Sequence, residues 1–396
     1  MRQQDTEGAK HQLATKSAIA FVVLLGVVSL FADMTYEGAR SITGPFLATL
    51  GASATVVGIV AGFGELAGYG LRLIFGYLSD RTGRYWVITI VGYMINLVAV
   101  PFLALAGNWP LAAALMITER TGKAMRTPAR DAMLSHATHV TGHGWGFGLH
   151  EAMDQIGAVL GPLIVAGVLS SRQNYRAGFA VLVAPAALAL VALAAARLLY
   201  PHPRDFETEP VALESKGMPR SFWLYLLAAA LVAAGFADFP LVAYHFEKAS
   251  VASESRIPLL YAMAMGFDAL AALVFGRLFD RLGAVVLMGV VAVSALFAPL
   301  VFLGGAAAAW AGMALWGVGM GAQESILRAN VATIVPADRR GAAYGLFNAA
   351  YGLAWFAGSV LIGMLYGRSV VGLVVFSVLV QWSALPVLLR VKRTIG

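Results

Sequence analysis

Twelve apolar stretches, each about 20 residues or longer, decide what this chain can fold into. They lie near residues 17 to 39, 53 to 76, 86 to 106, 109 to 130, 145 to 169, 176 to 199, 221 to 246, 257 to 278, 284 to 304, 307 to 329, 342 to 366 and 370 to 390. A helix satisfies its own backbone groups, so stretches of this length predict an all-α membrane protein with twelve transmembrane helices. Hydrophobic residues make up 59% of the chain and charged ones 12%, about half the charged share of a soluble domain. Lys16 precedes the first stretch, but no small-residue cleavage site follows and Asp33 continues it. A retained helix is expected there rather than a signal peptide. Cysteine is absent, which excludes disulfides and thiolate metal sites. The basic excess, 28 Lys and Arg against 21 Asp and Glu, is scattered among loops, which argues against a nucleic-acid partner.

An even number of crossings places both termini on one side, and short cytoplasmic loops collect Lys and Arg. Sixteen basic residues, Lys16, Arg84, Arg197, Arg281 and Lys392 among them, fall on the side of the termini. Six, Arg40, Arg172, Arg176, Lys248, Arg256 and Arg368, fall opposite, so both termini are predicted to be cytoplasmic. Pro201 to Pro219 is the longest polar stretch and reads as a linker between residues 1–200 and 220–396. The two parts repeat each other. Phe31-Ala32-Asp33 recurs as Phe236-Ala237-Asp238 in the first span of each part. Gly76-x-Leu78-x-Asp80-Arg81-x-Gly83 recurs 200 positions later as Gly276-x-Leu278-x-Asp280-Arg281-x-Gly283, on the loop expected after each second span. Gly148-Leu149 and Gly161 recur as Gly345-Leu346 and Gly358 in each fifth span. Three matches in order imply two six-helix bundles of common descent, an arrangement that places a substrate site between them near the midplane.

Gly76, Leu78, Asp80, Arg81, Gly83 and Arg84 carry a resemblance to the signature loop of the major facilitator superfamily, G-x-L-x-D-R-x-G-R followed by Arg or Lys, with Tyr85 departing at the last position. The resemblance implies the major facilitator fold, two pseudo-symmetric six-helix bundles, and a gating and packing role for this loop. Asp131, at the inner end of the fourth span, is the expected partner of Arg84. Arg120-x-x-Lys123-Ala124 is similar to a second family motif, R-x-x-Q-G, with Lys for Gln and Ala for Gly. Gly157-x-x-x-Gly161-Pro162 is similar to a third, G-x-x-x-G-P, which the family associates with proton-driven export, although Val165 and Ala166 replace a following glycine pair. Gly122-Lys123-x-x-Arg126-Thr127-x-x-Arg130-Asp131 and Phe147-Gly148-Leu149-His150-x-x-Met153-Asp154 resemble a little-characterised, drug/proton antiporter-like branch. That resemblance implies a monomer in a bacterial inner membrane with no cofactor, whose partners are lipid, a small-molecule substrate and protons, with sodium as the other coupling ion.

Ionised side chains inside hydrocarbon cost about 2.5–3.5 kcal/mol each or more, so each intramembrane charge here needs a partner or a wet cavity. Asp33, Glu37 and Arg40 share a face of the first span, and Glu119, Lys123, Arg126 and Arg130 a face of the fourth, beside Arg120. Gly317, Gly321, Glu324 and Arg328 share a face of the tenth, where Glu324 and Arg328 are spaced to pair. Glu65 and Arg72, His150 with Asp154 at i, i+4, Asp238 and Asp268 complete the set. Asp33, Glu37, Glu65, Arg120, Lys123, His150, Asp154, Asp238, Asp268, Glu324 and Arg328 are the candidate substrate or proton-coupling residues. Gly76, Asp80, Arg81, Gly83, Arg84, Asp131, Gly157, Gly161 and Pro162 are the gating candidates. The same charges also suit ion pairs that lock helices without turnover, and Lys123, Arg126 and Arg130 approach the cytoplasmic end where a gating or structural role fits. Of the aromatics, Tyr36, Tyr93, Trp145, Trp316, Tyr344 and Trp355 are candidate pocket walls or packing residues.

The expected function is secondary active transport of a small polar, charged or amphiphilic organic solute by alternating access, with proton-coupled export ahead of proton-coupled uptake. A pocket of both signs suits a zwitterion, an organic ion or a polar amphiphile. No G-x-x-x-x-G-K-[ST] loop is present, so no ATP site is expected. His150-Glu151-x-x-Asp154 resembles the H-E-x-x-H helix of zinc proteases without a clear third ligand, and a non-transporting sensor of the same fold is the remaining alternative. His136, His139 and His143 are spaced to reach one metal, but an inner loop there is expected merely to solvate them, and no metal is predicted.

Overall fold

The computed structural model describes residues 2–141, 143–201, 217–336 and 340–395; the side chains of 2–16, 136, 139–145, 280, 284, 328–329, 332, 340–342 and 393–395 lie outside the description. The first half contains α1 (Arg2–Thr49), α2 (Ala54–Thr82), α3 (Tyr85–Phe102), α4 (Trp109–Thr141), α5 (His143–Arg172), α6 (Tyr175–Val181) and α7 (Val183–Leu199). The second contains α8 (Arg220–Gly235), α9 (Phe239–Lys248), α10 (Arg256–Leu282), α11 (Ala284–Ser294), α12 (Phe297–Phe302), α13 (Ala306–Ile334), α14 (Arg340–Arg368) and α15 (Val370–Ile395).

Three pairs of helices are single crossings broken by proline. Pro185, Pro240 and Pro299 each lack an N–H and crowd the carbonyl four residues earlier, and the chain breaks between α6 and α7, α8 and α9, and α11 and α12. Counting each broken pair once gives twelve crossings in two bundles of six. The break at Phe236–Asp238 leaves a carbonyl without a helical donor, and the Trp316 Nε1–H donates to Ala237 O at 2.9 Å. Asp238 caps α9 by accepting the Phe239 N–H at 2.8 Å. Exposed Leu188, Val191, Leu198, Leu273, Val293 and Leu379 belong to the apolar outer surface that a bilayer would cover.

One end of the bundle, the terminal end, holds both termini, and the opposite, hairpin end holds the turns at 50–53, 106–108, 173–174, 249–255 and 303–305. Helices run further than the apolar stretches alone indicate. The membrane-length segment of α1 spans Ser17–Thr49, ten residues past Ala39, because the charges that interrupt its hydropathy are paired inside the protein. The motif at Gly76 to Gly83 is likewise not a loop. Residues 76–82 are the last turns of α2, and only Gly83 leaves the helix, at φ 63° with its N–H on Ser79 O at 2.8 Å. Gly283 repeats this stop after α10, at φ 63° with its N–H on Phe279 O at 2.8 Å. A side chain is strained at that φ, which accounts for glycine at both ends of the sequence repeat.

The repeat at the fifth crossings is a packing device. A Cβ on Gly157 would sit 3.1 Å from the Asp33 Cβ, and one on Gly161 would sit 2.9 Å from Gly38 N, so α5 lies directly on the backbone of α1. Gly358 brings α14 equally close to Ala234 of α8. The halves meet where α1 packs on α9, α2 on α14 and α5 on α10.

Candidate functional site: a charged cavity between the bundles

A cavity of about 570 Å³ lies between the halves, walled by α1, α2, α4 and α5 on one side and α10 and α13 on the other. That volume falls within the usual range for small-molecule sites. Its inner limit is at Arg40, Tyr261 and Trp316, and it extends past Lys123 and Asp154 to Arg130, Asp131, Leu134 and Phe147 near the terminal end.

Hydrogen bonds across the halves close the hairpin end above it. Arg40 Nη2 donates to Asp238 Oδ1 at 2.6 Å, and the Tyr261 hydroxyl donates to Glu37 Oε2. Nearer the surface the Tyr175 hydroxyl donates to Glu247 Oε2 at 2.8 Å and Thr55 Oγ1 to Gly363 O at 3.4 Å. Phe63 meets Phe356 edge-on with ring centroids 6.2 Å apart. Arg40, Glu37 and Asp238 are 7%, 7% and 3% exposed, so these pairs are dry.

The first half supplies a ladder of opposite charges along α4. Glu65 lies 3.1 Å from Arg40 and 3.4 Å from Arg120, which also approaches Glu119 at 3.5 Å. Glu119 in turn accepts from Asn96 Nδ2 at 2.7 Å. Lys123 sits 3.9 Å from Glu37 and 3.7 Å above the Tyr36 ring; Arg126 sits 3.9 Å from Asp33 and 4.2 Å above Tyr93. Arg130 reaches Asp131 at 2.8 Å and Asp154 at 3.9 Å, and donates to Ser29 Oγ at 2.9 Å. Ser29 Oγ, with Arg130 as its donor, is free to give its own proton to His150 Nε2, 2.9 Å away. The neutral ring that accepts that proton carries its hydrogen on Nδ1, which faces Asp154 Oδ2 at 3.6 Å. Ser29, His150, Asp154 and Arg130 thus form one polar cluster against the cavity.

Ten of the eleven candidate substrate or coupling residues are in described positions, and the structure gathers them. Asp33, Glu37, Glu65, Arg120, Lys123, His150, Asp154, Asp268 and Glu324 line the cavity, and Asp238 stands behind Arg40. The side chains of Arg328, His136, His139, His143 and Trp145 lie outside the described residues, as does Asp280 of the second gating motif. Of the gating candidates, Gly157 and Gly161 form the α1–α5 contact and Pro162 follows them within α5, while Gly76, Asp80, Arg81, Gly83 and Arg84 are at the terminal end of α2 and the turn after it. Asp80 accepts from the Tyr85 hydroxyl at 3.3 Å, and Asp131 is held by its neighbour Arg130 rather than by Arg84. The expected Arg84–Asp131 pair is not formed, and the cavity reaches Asp131 toward the terminal end. Tyr36 and Trp316 line the cavity, Tyr93 backs Arg126, Trp355 is buried within the second half and Tyr344 is half-buried.

Sequence reasoning left out Tyr261, Ser29 and Asn96 and placed Arg40 outside the candidate set. Two of these had a signal. Ser29 extends the Asp33, Glu37, Arg40 face one turn back, and Tyr261 precedes Met265, Asp268 and Ala272 on one face of α10, all three of them cavity residues.

A family model described as Major Facilitator Superfamily matches residues 23–359. The chain belongs to the Major Facilitator Superfamily. Like other members it is a multi-pass membrane transporter in architecture. It is 44% identical over 383 residues to "Uncharacterized protein Rv2265" of Mycobacterium tuberculosis, covering 95% of this chain and 94% of that one. It is 25% identical over 356 residues to "Uncharacterized MFS-type transporter MJ1317" of Methanocaldococcus jannaschii, covering 87% and 88%. Among solved structures, a bacterial homolog to the human lysosomal transporter Spinster, in an inward-facing and unoccupied conformation, superimposes with a TM-score of 0.69 at 14% identity over 96% of each chain.

Proposed function

We propose that the chain is a proton-coupled secondary transporter that moves a small polar or charged organic solute by alternating access. The observation that carries this reading is the cavity itself. It is lined by both signs of charge, walled by both bundles, closed at the hairpin end by buried pairs between them and extended toward the terminal end. Charges gathered in this way inside a membrane protein border a passage or a coupling site. Rocking of residues 1–200 against 220–396 about the 201–219 linker would break Arg40–Asp238 and Tyr261–Glu37 and form an Arg84–Asp131 pair at the opposite end. Asp80 and Arg81 stand beside that closing surface.

Asp154 is the proposed proton carrier, because it combines a place on the cavity wall with a histidine and an arginine whose bonds it can exchange. The termini are assigned to the cytoplasm of a bacterial inner membrane from the Lys and Arg bias, and export is assigned from the Gly157-x-x-x-Gly161-Pro162 resemblance. One proton entering across 100 mV supplies about 2.3 kcal/mol, equivalent to a solute gradient of roughly 50-fold. The test is solute flux in liposomes with an imposed pH gradient. Expected is flux that follows the gradient and loses that dependence in Asp154→Asn. Flux indifferent to pH removes proton coupling, a sodium requirement replaces it, and binding without flux makes the protein a sensor.

A further inference from the structure

The cavity walls differ in make-up: the first half lines it with cations and carboxylates together, Asp33, Glu37, Glu65, Asp131, Glu151 and Asp154 among them, and the described charges of the second half are acidic. The six described cations of the lining, Arg40, Arg72, Arg120, Lys123, Arg126 and Arg130, all come from the first half. From the second half, the described charged residues of the lining are Asp268 on α10 and Glu324 on α13. We infer that the solute is dipolar: an amine or quaternary ammonium docks against Asp268, flanked by Glu324, and a carboxylate or phosphate at its other end docks against Arg120 and Lys123.

Asp268 is built as a receptor for positive charge. Its residue is 3% exposed, its Oδ1 makes no hydrogen bond, its polar neighbour is the neutral Gln155 side chain, and no described Lys or Arg lies within 4.0 Å of it. The carboxylate is seated over Gly321, where an added Cβ would stand 2.7 Å from Oδ1, so α13 holds the acid in place without neutralising it. A buried carboxylate with no described cationic partner is costly, and an incoming cation relieves that cost. Opposite it, Arg120 and Lys123 hold their acids loosely, at 3.4, 3.5 and 3.9 Å, against 2.6 Å for the sealed Arg40–Asp238 pair. Their side chains are 15% and 20% exposed, the most among the paired cations of the first half. Long, part-wetted pairs give up a partner to an incoming anion at less cost than short, dry ones.

The same lining includes Tyr36, Tyr261, Met265, Trp316 and Met320, which suit a short apolar body joining the two charges. A single cation would leave Arg120 and Lys123 unused, and a single anion would face Asp268 and Glu324. A dipolar solute satisfies both walls at once and ties the bundles together through its own length. Its occupancy then favours the conformer in which the walls are nearest, which is the differential binding alternating access needs.

This inference rests on the transport reading, and its test is binding to the purified full chain rather than flux. The probes are ω-amino carboxylates of graded chain length, their N-acetyl forms, which keep only the anion, and their methyl esters, which keep only the cation. The expected result is dipolar binding about tenfold or more tighter than either single-charge form, with an optimum chain length. Asp268→Asn should abolish the preference over the N-acetyl form, and Asp268→Glu should keep it. Arg120→Gln with Lys123→Met should abolish the preference over the ester. Equal binding of ester and dipolar probe, equal binding of the N-acetyl form, or no binding by any chain length overturns the inference, and none of these ligand comparisons depends on a variant folding. Dipolar binding without pH-driven flux defeats the transport reading alone; pH-driven flux of a probe lacking one charge defeats this inference alone.

Discussion

Gly44 of α1 is the point where the two bundles approach most closely at the hairpin end, and alanine there should shift the conformational equilibrium without unfolding either bundle. A Cβ on Gly44 would stand 2.7 Å from the Pro240 carbonyl carbon and 3.0 Å from Tyr244 N, and it would lie inside the contact shell of the Pro240 carbonyl oxygen. All three atoms are backbone of α9, so no side chain can swing aside. Ordinary contacts to carbon begin near 3.5 Å, and the carbonyl oxygen is the nearest of the three, so α1 and α9 must part by roughly 1.5 Å. Overpacking of this kind costs about 1–3 kcal/mol. The cost falls only on the conformer with a sealed hairpin end, so that conformer loses about 5- to 150-fold in population relative to the open one. The chain has no cysteine, so single reporters can be introduced cleanly. Val60→Cys, 8% exposed under the hairpin seal, should react faster with a polar maleimide in the Gly44→Ala background. Phe147→Cys, 38% exposed at the terminal end of the cavity, should react more slowly. Unchanged rates at both reporters would refute the assignment of Gly44 to a seal that opens.

Gly161→Ala supplies the contrast. Its Cβ would meet Gly38 N at 2.9 Å within one bundle, so it should lower the melting temperature by an amount corresponding to about 1–3 kcal/mol while leaving the ratio of labelling at positions 60 and 147 unchanged. Arg40→Gln strands buried Asp238 and should destabilise the sealed conformer by about 3–5 kcal/mol, read as faster labelling at position 60. Adding Asp238→Asn, which keeps the cap on α9, should recover most of that loss in a double-mutant cycle; additive effects would show that the pair is not coupled.

The crossings were legible in the sequence because hydrocarbon thickness fixes their length, and the internal repeat was legible because Gly83 and Gly283 both stop a helix at positive φ. Helix ends were less legible. Arg40 looks like a boundary in hydropathy, yet α1 continues because Asp238 and Glu65, distant in sequence, neutralise it. The charged faces of α1 and α4 could be read from i, i+4 spacing, which is why most cavity residues were anticipated. Which carboxylate faces which cation could not be read that way. Arg40–Asp238 spans 198 positions, and Asp131 pairs with its chain neighbour Arg130 rather than with Arg84.

The central claim is that the cavity opens alternately at its two ends. Spin-label distances between Ser170→Cys and Ser253→Cys, which line one hollow at the hairpin end, and between Thr82→Cys and Leu282→Cys at the terminal end, test it most directly. Two populations at each end, shifting in opposite senses between acidic and alkaline pH and again with Gly44→Ala, are predicted. One fixed distance at both ends under every condition would contradict it.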